Sequence, residues 1–82
     1  MKIVLDLAVL RTKDALLSRC QTIFPEMYGR NYDALTDAAG GYPDALEILL
    51  VHSGAYEDPE MLRRVFAIIA GENPRITVCE KP

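Results

Sequence analysis

Asp33 and Asp37 stand four residues apart in the segment 25–42, PEMYGRNYDALTDAAGGY. On a helix that spacing sets both carboxylates side by side on one face. Three chemistries are open to such a pair: general acid–base work, metal ligation, or presentation of negative charge to a positive partner. Acid–base work needs surroundings that pull two pKa values apart, and one shared polar face offers no such contrast. A Mg²⁺ or Ca²⁺ site gathers oxygen ligands from a dedicated loop or from several elements, and two carboxylates only begin one. A solvated helix face is the simplest alternative, although like charges at this spacing cost on the order of a few tenths of a kcal/mol.

Other reactive side chains give catalysis little to use. His52 is the only histidine, and at a strand end it reads as a packing or edge residue rather than a general base. No G-x-S-x-G elbow is present, and the five glycines fall in turns and caps rather than in a phosphate-binding loop. Cys20 falls on an apolar helical stripe and Cys79 in a strand, so both are expected as buried, reduced thiols rather than a disulfide framework. A zinc site built from Cys20, His52 and Cys79 lacks any ligand-pair spacing. The expectation is therefore a protein without catalytic residues, bound metal or cofactor.

The chain has 82 residues, half of them apolar, and a net charge of −3. This length and composition suit one folded domain spanning residues 1–82. The charge is unevenly placed. From Glu26 to Glu47 five acids (Glu26, Asp33, Asp37, Asp44 and Glu47) face one base, Arg30, while the remainder is nearly balanced. Direct nucleic-acid binding needs a basic footprint, so the bias favours a basic partner or a cation. No apolar run approaches the roughly 20 residues that span a bilayer. The N-terminal MKIVLDLAVL is broken by Asp6 and reads as a strand rather than a leader, which points to a soluble, cytoplasmic protein. Tyr28, Tyr32 and Tyr42 bracket the two aspartates, with Tyr32 on the core side. Tyrosine beside carboxylates, with Met27 as a soft apolar neighbour, is a common interface composition.

The elements that position this segment follow from periodicity. Residues 2–7 (KIVLDL) read as a buried strand. Thr12 caps a helix carrying Leu16, Leu17, Cys20, Ile23 and Phe24 on one stripe, and Pro25 stops it. The turn Tyr28-Gly29-Arg30-Asn31 leads into the short acidic helix, whose inner side holds Tyr32, Leu35 and Ala39. Gly40-Gly41 suits a left-handed cap there. Residues 44–52 (DALEILLVH) read as a strand buried on both faces, and 53–57 as a loop. Asp58-Pro59 opens a third helix with Met61, Leu62, Val65, Phe66 and Ile69 inside, ended by Gly71. Residues 75–80 (RITVCE) alternate as a third strand. Helices between successive strands predict an α/β fold: a three-stranded parallel sheet packed by about three to four helices.

The segment resembles the hallmark of the barstar family, intracellular inhibitors of the extracellular ribonuclease barnase. Its pattern is proline, acid, aromatics, Tyr-Gly-x-Asn, then x-Asp-Ala-Leu-x-Asp and a glycine-aromatic pair. Here it reads Pro25-Glu26-Met27-Tyr28-Gly29-Arg30-Asn31-Tyr32-Asp33-Ala34-Leu35-Thr36-Asp37, then Gly41-Tyr42, about a fifth of the chain. The resemblance implies a barstar-like fold and an antitoxin or immunity role: a non-enzymatic inhibitor of a basic secreted ribonuclease. Asp37 would enter the active site as a phosphate mimic, supported by Asp33, with Thr36, Gly41, Tyr42 and Met27 in contact. Tyr28, Gly29 and Asn31 would shape the turn that aims the helix. The family's inhibitor has a tyrosine where Met27 stands, a tryptophan where Thr36 stands, and an acid near Ile68. Two other readings stay in view, the first because of these departures and the second because of the carboxylate pair itself. One is a scaffold or regulatory module for another basic protein, the other a metal-dependent enzyme using Asp33 and Asp37.

Overall fold

Three parallel strands pair in the order β1-β2-β3, with β1 at Lys2–Asp6, β2 at Leu46–Val51 and β3 at Ile76–Lys81. The helices are α1 (Lys13–Ile23), α2 (Tyr32–Gly40) and α3 (Pro59–Glu72), with one 3₁₀ turn at Ser53–Ala55. The computed structural model describes residues 1–81. Three helices and a three-stranded parallel sheet make the expected α/β fold. Among the described residues no helix is long and apolar enough to cross a membrane.

The local signals account for most boundaries. Thr12 caps α1 by accepting from the Ala15 N–H, and Asp58 caps α3 by accepting from the Met61 N–H, with Pro59 in the first turn. Phe24 leaves the helical region just before Pro25. The same effect moves the end of α3. Gly71 was the expected stop, yet the helix continues through Glu72 and ends at Asn73, whose extended backbone precedes Pro74. The Gly40-Gly41 pair also behaves differently. Gly40 stays helical and Gly41 closes the helix at φ −95°, so no left-handed cap forms.

The expectation that β2 is buried on both faces is overturned. Leu46, Ile48 and Leu50 are buried while Glu47, Leu49 and Val51 are only half-buried. The reason is topological. With strands in the order β1-β2-β3 both crossovers step the same way across the sheet, and crossovers of one hand then lie on one face. Leu5, Ile48, Leu50 and Ile76 pack inward with Leu16, Leu17 and Leu35 and with Leu62, Phe66 and Ile69. Cys20 lies in that core, whereas Cys79 is exposed on the opposite sheet face, contrary to its expected burial. Burial pushes the Cys20 thiol up to about 12, which leaves it protonated and inert at neutral pH.

Candidate functional site

Asp33 and Asp37 project from α2 into solvent, while Leu35 and Ala39 on its other side are fully buried and Tyr32 is half-buried. Among the described residues neither aspartate forms an ion pair. Arg30, the one base in the acidic segment, turns away from them. Its guanidinium lies 3.0 Å from Asp14 Oδ1 and 3.3 Å from Ser18 Oγ, both on α1. The acidic face of α2 is thus left uncompensated. Glu47 does not belong to it, because that side chain lies on the far side of the sheet with Lys2 and Thr77.

Both ends of α2 are pinned. At its start the Asn31 side-chain oxygen accepts from the Ala34 N–H at 2.7 Å, satisfying one of the free donors of the first turn. Gly29 supplies the preceding turn with φ +120°, a backbone conformation that L side chains rarely adopt. At the other end the Asn73 amide nitrogen donates to the Ala39 carbonyl at 2.9 Å and to the Tyr42 carbonyl at 3.0 Å. Asn73 is only 3% exposed, and its own oxygen accepts from the Arg75 N–H at 3.0 Å. A third anchor is Tyr32, whose hydroxyl lies 2.7 Å from that of Tyr56, with Lys13 Nζ 5.0 Å from the Tyr32 ring centre. Burial, and then the bond to Tyr32, pushes the Tyr56 hydroxyl pKa up, so it stays neutral.

The remaining sequence-predicted residues divide. Thr36 is half-buried, and its hydroxyl donates to the Asp33 carbonyl at 3.0 Å. Gly41 is exposed. Tyr42 is half-buried, its ring meeting Phe24 edge-on at 5.3 Å. A cleft of about 250 Å³ opens beside these rings, flanked by the exposed acids Glu26 and Asp44. Met27 is not on this surface: at 5% exposure its side chain packs in the core, so an apolar contact from it has little area to offer. Tyr28 shows the opposite. Its ring is 89% exposed, so only its backbone can shape the turn and the ring stands free in solvent.

Two residues of the site escaped the sequence reading. Asn73 gave no periodic or motif signal, and only its place before Pro74 marks it. Glu72 is the other. Its carboxylate lies 3.6 Å from where a side-chain carbon on Gly40 would stand, so α3 adds an exposed acid at the C-terminal end of α2. One turn earlier on α3, Ile68 is exposed.

A second cluster lies at the carboxyl end of the sheet, around an open cavity of about 550 Å³. Ser53 donates to Glu80, and Arg63 bonds both Glu80 oxygens at 3.0 and 3.1 Å. These partners hold the Glu80 carboxyl below its ordinary range, Arg63 first and then Ser53. His52 adopts φ 58°, ψ 43° as β2 ends, with Nδ1 3.0 Å from Asp6 Oδ1, and that bond lowers the Asp6 carboxyl. Each polar group here already has a partner, which makes the cluster a brace between β1, β2, β3 and α3. Cys20 and Cys79 lie on opposite sides of the sheet, so they do not meet His52 as a zinc site would require. Among the described residues no group of three or more His, Cys, Asp or Glu is placed to hold a metal ion.

No curated protein matches the chain. The family described as Barstar (barnase inhibitor) does match, over residues 1–75 of 82. That range runs from β1 to the end of α3 and contains both asparagines that pin the acidic helix. The match covers nearly the whole chain, and the protein belongs to the barstar family, whose members are inhibitors rather than enzymes.

Proposed function

We propose that this protein inhibits a basic secreted ribonuclease by inserting the acidic face of α2 into the enzyme's active site. The observation that carries this reading is the pair Asp33 and Asp37: exposed, without an ion pair, and rigidly held because both ends of their helix are bonded. A ribonuclease active site is positive because it holds phosphates, and preorganised carboxylates substitute for them without chemistry of their own. Rigid presentation matters because ordering side chains and loops at an interface subtracts from affinity. Asp37 enters furthest, and Asp33 supports it from one turn earlier. Thr36, Gly41, Tyr42 and the free ring of Tyr28 surround the acids, and Glu72 extends the negative field onto α3. Such an inhibitor protects the cell that makes the enzyme, which requires it in the cytoplasm.

The test is an RNA-cleavage assay with barnase and other small basic ribonucleases, with and without this protein. Stoichiometric inhibition of at least one supports the reading, and no inhibition of any, with no nuclease recovered as a partner from the source cells, contradicts it. A second reading rests on the altered surroundings of the acids. Thr36 is short, Met27 is buried, and Ile68 is 43% exposed beside Glu72. An apolar residue on that rim fits a basic partner whose contact there is itself apolar, whether a divergent ribonuclease or another protein.

A further inference from the structure

All-parallel sheets occur almost only with both faces covered, yet here one face is open. Its central row is Val4, Leu49 and Cys79, which stand side by side in register across the three strands. Val4 is 51% exposed, Cys79 is exposed and Leu49 is half-buried. Charged rows flank this apolar line. At the amino end of the strands Lys2 lies beside Glu47, and at the carboxyl end Asp6 and Lys81 lie either side of Val51.

That charge pattern is self-complementary about either axis in the plane of the sheet, but only one of the two stacks no like charges. Two copies meeting face to face through a two-fold axis must have the axis lying between the sheets. An axis parallel to the strands would set Asp6 opposite the partner's Lys81 but would stack Glu47 on the partner's Glu47. An axis along the central row instead sets Lys2 opposite the partner's Asp6, and Asp6 opposite the partner's Lys2. Glu47 then faces the partner's Val51, one strand from both the partner's Lys81 and the partner's Asp6, and Val4, Leu49 and Cys79 each face their own copies. We infer that the open face of the sheet binds a second copy of this chain in this antiparallel, face-to-face arrangement.

The size of the face sets the strength. Three strands of about six residues cover roughly 20 by 14 Å, well below the roughly 800 Å² per partner of a standard stable interface. The dimer is therefore weak, reversible and dependent on concentration. Because α2 packs on α1 and α3 in the helical layer, the dimer leaves both acidic faces free and presents two of them in opposite directions. This inference is independent of what the acidic face binds.

Sedimentation equilibrium of the full chain over a wide concentration range tests it. The parent shows a monomer–dimer equilibrium. Lys2→Asp alone and Asp6→Lys alone each weaken it about tenfold or more, since each sets like charges opposite one another twice. The double variant Lys2→Asp/Asp6→Lys recovers association to within about threefold of the parent, because the pairs are restored with their signs exchanged. Asp6 also bonds Ala8 and His52, so thermal melts accompany these variants. Leu49→Lys, which leaves those bonds intact, abolishes dimerisation. A parent that remains monomeric overturns the inference. So does a dimer unaffected by Leu49→Lys, or single and double charge variants that weaken it alike.

Discussion

The side-chain amide of Asn73, at the end of α3, donates to the Tyr42 carbonyl oxygen at 3.0 Å and ties the corner after the acidic helix to the last helix of the core. The same nitrogen bonds Ala39 at 2.9 Å, so one buried side chain closes a helix that lacks a left-handed glycine cap. Replacing Asn73 with Ala leaves the Tyr42 carbonyl without that donor and the Arg75 N–H without its acceptor, while the Ala39 carbonyl keeps the Tyr42 N–H. Leaving buried groups unsatisfied costs about 1–3 kcal/mol, and urea unfolding should show a loss in that range. If α2 is the binding element, affinity for the partner falls as well, through a faster off-rate.

The opposite end of α2 gives a matched expectation. Asn31→Ala removes the cap and should lower stability by about 1 kcal/mol. Gly29→Ala forces a side chain onto a backbone at φ +120°, a strain of about 1–3 kcal/mol. Both are read by denaturant unfolding. Asp33→Ala should be nearly neutral by the same measure, since its side chain is exposed and unpaired.

Binding energy should be concentrated rather than spread along the acids. Asp37→Ala should weaken partner binding far more than Asp44→Ala, because Asp37 sits at the centre of the proposed contact and Asp44 at the rim of the neighbouring cleft. The barnase–barstar complex is itself the reference case for very large charge-pair energies, so the prediction here concerns the order of effects and not their size. The association rate should fall steeply with added salt. Titration calorimetry and stopped-flow binding measure the two effects, and equal small losses for both variants remove Asp37 from the centre.

Stability should decline on acidification, with Glu80 as one contributor. Its folded pKa lies below the ordinary 4.5 because of the bonds from Arg63 and Ser53. A carboxylate with a depressed folded pKa stabilises the fold above its unfolded pKa, and that contribution is lost as pH falls through the folded value. Thermal melts from neutral pH to well below 4.5 should therefore fall less steeply for Glu80→Gln than for the parent. The difference is modest, because solvent screens a side chain about one-third exposed.

The legible parts of this molecule were those set by local chemistry. Thr12, Asp58 and Pro59 announced helix starts, Pro25 announced a stop, and alternation of strands with helices led to a parallel sheet. The acidic pair and its buried side followed from helical spacing alone. What stayed hidden depends on neighbours distant in sequence. The open sheet face follows from strand order, which no single segment encodes, and so Cys79 was expected in the core. Arg30 counted in sequence as the one base among five acids, and only the fold shows that it pairs with Asp14 on α1. Gly40-Gly41 suited a left-handed cap, but the Asn73 side chain, 34 residues from Ala39 and 31 from Tyr42, contributes another closure.

Inhibition through the acidic face of α2 is tested most directly by RNA cleavage with a small basic ribonuclease that this protein inhibits, measured with the parent and with Asp33→Asn/Asp37→Asn. The substitution keeps side-chain size and removes both charges from an exposed face, so the fold should melt as the parent does. The parent should inhibit stoichiometrically, and the double variant should not. Inhibition retained by a double variant with both charges removed would contradict the acidic face of α2 as the inhibitory element.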